Sequence, residues 1–358
     1  MSLRQITIHG YKSIEHLDKF ELSSLNVLIG ANGAGKSNFI SIFKLLNEMY
    51  EQRLQSFVQK QGGPDSLLHF GRDITDKIHA EFYFYMNGYK FDLVPTVDNR
   101  LIFESEYLWF EGVYHPASSH LIGYGKDESE LQYSNDSYAP YVRSAIKGWR
   151  VYHFHDTSDT AKVKRRQAVN DNLRLKPDAE NLAAYLRMLS IKYPDEYRRI
   201  VETIQIVLPF FKDFVQREDN DIFIELEWFQ VDRPDTPLRA HLLSDGSLRF
   251  ICLTTLLLQP KELLPDTIII DEPELGLHPY AISVLADIFK QVAEDKQLII
   301  STQSVELINE MEAENIIVVD QEQGKSTFKR FGQEELSEWL DDYSLGELWK
   351  RNVLGGRP

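Results

Sequence analysis

Apolar and polar positions alternate around Ile6 and Ile8, and Asn26-Val27-Leu28-Ile29 is a short apolar run, so two strands are expected near the start of the chain. Between Gly35 and about Arg53 the period changes, with Phe39, Ile42, Phe43, Leu46 and Tyr50 recurring at helical spacing. From Ala80 to about Tyr114, aromatic-rich segments read as an antiparallel meander, with Asn87-Gly88 as a two-residue hairpin turn and Asp98-Asn99 as a second turn. The stripe Phe82, Tyr83, Phe84 and Tyr85 reads as sheet packing rather than as a base-stacking platform.

Residues 138–240 follow a different rhythm. Leu182, Tyr185, Leu186 and Leu189 mark one amphipathic helix. Tyr197, Ile200, Val201, Ile204, Val207 and Leu208 mark another after Pro194-Asp195, and a loop over Asp232–Pro237 closes the stretch. From Ser244 an α/β alternation returns, with strands expected at Thr267–Ile270, Leu298–Ile300 and Ile316–Val319 and a helix over Tyr280–Val292. The resulting division is residues 1–137, 138–240 and 241–358, the outer two forming one α/β unit around an inserted, mainly helical lobe. No heptad run is long enough for a coiled-coil arm.

With 358 residues and 43% hydrophobic content, the chain can bury a large core. Its net charge of -16 repels a polyanion at long range, so any DNA contact needs a local basic patch. Lys162, Lys164, Arg165 and Arg166 are the best guess for one, against the plainer reading of a solvated helix face. Cys252 lies in an apolar run and reads as a buried, inert thiol. No stretch approaches the ~18 apolar residues of a membrane span, so no membrane partner and a cytoplasmic location are expected.

The chemistry concentrates in two places. Gly30-Ala31-Asn32-Gly33-Ala34-Gly35-Lys36-Ser37 fits GxxxxGK[ST] between a strand and a helix, where glycines turn main-chain N–H groups toward phosphates and the helix N-terminus adds positive charge. Gly30, Asn32, Gly33, Ala34, Gly35, Lys36, Ser37 and Asn38 are therefore candidates for binding ATP, with Lys36 on the β- and γ-phosphates and Ser37 on Mg. Ile268-Ile269-Ile270-Asp271-Glu272 then delivers two carboxylates from an apolar strand: Asp271 for the Mg shell and Glu272 to polarise the attacking water.

Leu243-Ser244-Asp245-Gly246-Ser247 resembles the signature of ABC-type ATPases, about twenty residues before the acidic strand. In that family the signature serine and glycine of one subunit cover the γ-phosphate held by another, which makes Ser244 and Gly246 nucleotide-site candidates in an ATP-sandwiched homodimer. A serine N-cap is the plainer reading. Glu274-Leu275-Gly276-Leu277-His278-Pro279 resembles the D-loop of RecF-like and SMC-like ATPases, with His278 a turn residue rather than a proton shuttle. Ile299-Ile300-Ser301-Thr302-Gln303-Ser304 places Gln303 where these families usually carry a switch histidine. Glutamine cannot titrate near neutrality, so slow hydrolysis is expected.

The resemblance to RecF-like ATPases of the AAA-21 group extends to Ile8-His9-Gly10-Tyr11-Lys12-Ser13-Ile14, to Val151-Tyr152-His153-Phe154-His155-Asp156-Thr157 and to Tyr343-Ser344-Leu345-Gly346-Glu347-Leu348-Trp349. It implies an α/β P-loop NTPase head domain of ABC type with an antiparallel β subdomain, and it adds Lys12 as a nucleotide contact and Gln59 or Gln61 as the Q-loop residue. It also implies a DNA transaction ATPase or, alternatively, the regulatory ATPase of a defence or toxin system acting on an effector protein. His153, His155 and Asp156 could be imagined as a metal site, although imidazoles on a half-buried strand need none. Trp339, Leu340, Leu345 and Trp349 are expected to pack back onto their own domain.

Overall fold

The computed structural model describes residues 2–112, 115–217 and 222–356. Strands β1 (Gln5–Tyr11), β2 (Ile14–Glu21), β4 (Ile78–Phe84), β5 (Asn87–Pro95), β6 (Leu101–Gly112) and β7 (His115–Gly123) form an antiparallel sheet in the order β2-β1-β4-β5-β6-β7. Strands β3 (Leu25–Ile29), β8 (Val151–Tyr152), β14 (Thr267–Asp271), β15 (Gln297–Thr302), β16 (Ile316–Glu322) and β17 (Lys325–Arg330) form the other large sheet, ordered β17-β16-β3-β15-β14-β8. It is parallel from β16 to β8, with β17 antiparallel at the edge.

Helix α1 (Lys36–Tyr50) lies between the two sheets, joined there by α2 (Leu54–Lys60) and α3 (Ala139–Lys147). Phe39, Ile42 and Phe43 of α1 share one core with Phe82 and Phe91 of the antiparallel sheet and with Ile269 and Ile299 of the parallel one. A second core covers the opposite face of the parallel sheet, where Ile268, Ile270, Leu298 and Ile300 meet α4 (Leu182–Lys192), α5 (Pro194–Val207), α6 (Asp245–Leu258), α7 (Pro279–Ala293) and α8 (Val305–Asn309). Because both faces are buried, β14 needs an unbroken apolar run, and each fully buried Ile contributes about 1.5–3 kcal/mol.

Residues 138–240 also hold β9 (Gln167–Ala168) paired with β11 (Phe223–Ile224), and a small sheet of β10 (Phe211–Phe214), β12 (Glu227–Gln230) and β13 (Arg233–Arg239). Strand β8, from the same stretch, is an edge strand of the parallel sheet. Near the C-terminal end, α9 (Gln333–Leu340) leaves Trp339 47% exposed, whereas in α10 (Leu345–Lys350) Leu345 and Trp349 are buried in the core. The Trp349 indole N–H donates to Gly356 O at 2.6 Å. Cys252 is buried, which pushes its thiol pKa well up.

Two turn expectations are corrected. The first hairpin turns at Tyr85–Met86, with Tyr85 at φ +55°, and Asn87 and Gly88 already pair with Phe110 and Trp109. Gly88 serves a close approach instead, since a Cβ there would sit 3.0 Å from the Trp109 ring. The expected loop at Asp232–Pro237 is mostly strand β13, whose prolines are tolerated because it pairs only with β12 and lies at a sheet edge. Strand β2 was not anticipated, and the Tyr114 end of the meander lies outside the described residues.

Candidate functional site

The parallel strands all run the same way, so the segments leaving β3, β8, β14 and β15 emerge at one edge, where open α/β sheets bind ligands. Register fixes their level. Ile29 lies opposite Thr302, and Ser301 lies opposite Asp271. Gly30, Gln303 and Glu272 therefore leave the sheet side by side.

From Gly30 the chain loops into α1. Gly35 sits at φ +116°, and a Cβ there would lie 1.9 Å from Ser326 Oγ, so no side chain fits. Ser326 Oγ donates to Ala34 O at 2.6 Å and its N–H to Ser13 O at 2.7 Å, while Asn38 Nδ2 donates to Ser13 Oγ at 2.6 Å. Strand β17 and the β1–β2 turn thus brace the loop from outside. On the open side nothing lies within 4 Å of where a Gly33 Cβ would be, and α1 has no side-chain cap. Uncapped first-turn amides at the positive end of a helix suit an anion.

The buried Lys36 ammonium donates to Gly30 O at 2.6 Å and to Ala31 O at 3.0 Å. Burial holds its pKa below the ordinary lysine value, while the carboxylates of Glu272, Asp271 and Glu274 pull the other way, which places all three within electrostatic reach of the cradle. Asp271 ends β14 and accepts a hydrogen bond from the Ser301 hydroxyl. Glu272 adopts φ +47°, a left-handed conformation that costs an L residue about 1–2 kcal/mol. Strain of this kind concentrates at functional positions.

Gln303 Nε2 donates to Glu272 Oε1 at 2.6 Å, and the Gln303 N–H donates to Glu274 Oε1 at 3.0 Å. The residue at the switch position therefore holds the Glu272 carboxylate from the side chain and Glu274 from the main chain. Burial raises the Glu274 pKa above the usual carboxylate value. The Ser37 hydroxyl and the Asp271 carboxylate are hard oxygen donors of the kind Mg2+ takes. Among the described residues no group of three or more His, Cys, Asp or Glu could hold a metal ion. One hydroxyl and one carboxylate would leave the rest of a six-oxygen shell to waters and phosphate oxygens, the manner in which Mg2+ is usually held.

Other candidates fall elsewhere. Ser244 caps α6, its Oγ accepting from Ser247 N–H at 3.1 Å, and Gly246 packs against the Gly276 carbonyl. Gly246 therefore sits against the Glu274–His278 turn. Around them Leu242, Leu275 and Tyr280 are exposed. Lys12 stands at φ +50° in the β1–β2 turn, its ammonium 5.6 Å from the Tyr11 ring, and it adjoins the cradle through its neighbour Ser13. His278 caps α7, accepting from Tyr280 N–H at 3.3 Å. Gln59 and Gln61 are exposed at the end of α2.

The basic run lies on a one-turn 3-10 helix (Lys162–Lys164) and the residues just after it, with Lys162, Arg165 and Arg166 exposed. Lys162 bridges Asp178 and Glu180 at 2.9 and 2.8 Å, and the buried Lys164 donates to Thr157 O at 2.6 Å. Arg165 donates to Thr160 O at 2.9 Å, and the Arg166 guanidinium lies 5.9 Å from the Phe223 ring centroid. Lys164 is thus taken up by the fold, while the other three reach solvent from a 3-10 turn and not from an α-helix face. At the His153–His155 stretch β8 ends before His153, and His155 Nε2–H donates to Asp271 O at 3.0 Å. Ser326, Arg249 and His155 are the contributors that sequence reasoning missed, because their partners are remote in the chain.

A glycine loop at a helix start, a parallel sheet and an acidic strand end beside the lysine define a P-loop NTPase head domain. Residues 25–309 match the family model described as "AAA domain, putative AbiEii toxin, Type IV TA system", and the chain belongs to that family. No curated protein matches it. Its fold is similar to that of an SMC head in a crystal structure with the C-winged helix domain of ScpA, with a TM-score of 0.62 and 16% identity over 94% of this chain and 99% of that one. An SMC head domain with an extended coiled coil, bound to the C-terminal domain of ScpA derived from Pyrococcus furiosus, gives a TM-score of 0.54 and 15% identity over 95% of this chain and 98% of that one. At such identities the likeness establishes the fold. No helix among the described residues is long and apolar enough to cross a membrane.

Proposed function

We propose that the chain is a slow, Mg-dependent ATPase whose ATP-bound form is a head-to-tail homodimer and which acts as a switch. One observation carries this reading: the Lys36 ammonium in its loop shares a sheet edge with Asp271, Glu272 and Gln303. In this reading the amides from Gly33 to Ser37, with Gly30, Asn32, Ala34 and Asn38 shaping the loop, cradle the phosphates, and Lys36 neutralises charge on the β- and γ-phosphates. Ser37 and Asp271 would hold Mg2+, which supplies electrostatic stabilisation of the phosphoryl group. Glu272 orients the attacking water, and Gln303 fixes the Glu272 carboxylate without titrating. Lys12 reaches the rim of the same site.

Gly246 packs against the turn after Glu272, and in this reading a second copy supplies the Ser244 and Gly246 that cover a bound γ-phosphate. The test is sedimentation of Glu272→Gln with and without MgATP. A shift from monomer to dimer on adding nucleotide is expected, and an unchanged monomer contradicts the reading.

Two settings suit such a switch. A DNA transaction of repair or recombination type follows from the RecF-like and SMC-like resemblance. Regulation of an effector in a defence or toxin system follows from the family's description. ATP turnover with and without DNA separates them: stimulation by DNA supports the first, indifference the second.

A further inference from the structure

We infer that Arg249 and His155 are positioning residues that tie the signature helix to the acidic strand, so that whatever engages Ser244 and Gly246 also sets the place of Asp271 and Glu272. The inference deepens the proposed ATPase reading and rests on it. Arg249 follows Gly246 by three positions on α6 and so shares its helix face.

The Arg249 guanidinium leaves its own helix and binds main-chain carbonyls from two other segments. Its Nη1 donates to Leu275 O at 2.8 Å, in the turn that follows Glu272. Its Nε donates to Phe154 O at 3.1 Å and its Nη2 to His155 O at 2.9 Å, where the chain leaves β8, with Thr157 Oγ1 3.3 Å from Nη2. His155 completes the path, its Nε2–H donating to Asp271 O at 3.0 Å. A planar guanidinium presents its donors in a fixed fork, so these bonds constrain orientation as well as distance.

Close packing makes the link stiff. A Cβ on Gly246 would lie 2.3 Å from Gly276 O, and one on Gly276 would lie 2.5 Å from Arg249 Nη1. The start of α6 therefore touches the turn after Glu272 backbone to backbone. Displacing that start therefore displaces Gly276 directly, because the two backbones leave no room for a Cβ between them. Among the described residues, three of the four Arg249 hydrogen bonds go to main-chain carbonyls and one to the Thr157 hydroxyl.

The experiment compares steady-state ATP turnover and thermal stability for wild type, Lys36→Ala, Arg249→Lys, His155→Phe and His155→Gln. Lysine keeps the charge at 249 but not the fork. Arg249→Lys and His155→Phe are expected to lower kcat about tenfold or more with KM within about twofold, and with Tm close to wild type. His155→Gln retains an N–H donor for Asp271 O and should recover most of the loss. Combining Arg249→Lys with His155→Phe should cost little more than the larger single change, since the two act in one path. If wild type shows Lys36-dependent turnover while Arg249→Lys and His155→Phe keep its kcat, or lose activity only in step with Tm, the link is overturned and the ATPase reading stands. If wild type shows no Lys36-dependent turnover, the ATPase reading falls and this inference with it. Should Arg249→Lys fail to fold, the recovery from Phe to Gln at His155 decides alone.

Discussion

The two large sheets hold their charges in opposite ways. On the antiparallel sheet His79 is clasped between Asp92 at 3.0 Å and Glu81 at 3.3 Å, with Lys77 3.2 Å from the same Asp92, so opposite charges meet. At the open edge of the parallel sheet Asp271, Glu272 and Glu274 act together on the Lys36 ammonium, and Glu272 is held in a left-handed conformation. One region has settled its electrostatics internally. The other carries like charges, strain and uncapped amides, the arrangement expected where a ligand completes the balance.

The contrast is sharpest in what mutations should do. Glu272→Gln should lower ATP turnover by about 10²- to 10⁴-fold while leaving Tm within a few degrees, as read by phosphate release and scanning calorimetry. A matching fall in Tm would erase the distinction between the two regions. Trp149→Ala makes the reverse case, because this buried indole lies 5.1 to 5.9 Å from Phe43, Phe84 and Phe82 in the core between the sheets. Unfolding free energy should drop by about 3–5 kcal/mol, with the folded fraction keeping its nucleotide affinity in calorimetric titration.

Smaller effects probe finer points. Gln303→Ala frees the Glu272 carboxylate from its 2.6 Å partner and should reduce kcat by about tenfold, the cost of about 1.4 kcal/mol of lost positioning, with a flat pH profile near neutrality since no imidazole is introduced. The smallest change is expected at His79, whose pKa is raised to about 9 by its hydrogen bonds to Asp92 and Glu81. A raised pKa means that the folded state holds the proton more tightly. Its stabilisation is thus complete below the unfolded value of ~6.5 and is lost as pH climbs through about 9. The Tm advantage of wild type over His79→Gln should shrink across that window. It should amount to a few degrees at most for a chain of this size, because the cluster is partly screened by solvent. A constant difference would show that the proton plays no part.

How much of this could be read from the sequence depended on how local the cause was. The glycine loop, the α1 periodicity and the Ile268–Ile270 run are local signals, and each produced the element expected of it. Asn87-Gly88 misled because the turn signature was there for another reason, the approach of Trp109 from the neighbouring strand. The prolines of Arg233–Arg239 misled because a sheet edge forgives a missing donor, and edge status is a property of the finished sheet. Strand β2 alternates too irregularly to stand out, and its register against β1 shifts between Ile6 and Ile8. Within the site, Lys36, Asp271, Glu272 and Gln303 were legible as motifs. Arg249 and Ser326 were not, since their partners lie 94 and 292 positions away and no spacing rule links them.

The most direct measurement is calorimetric titration of MgATP into Glu272→Gln and into the same variant carrying Lys36→Ala. Saturable uptake by the first and its loss in the second is the expected pair of results. Equal heats in both, or no uptake in either, would contradict a phosphate cradle built on Lys36 beside the acidic strand.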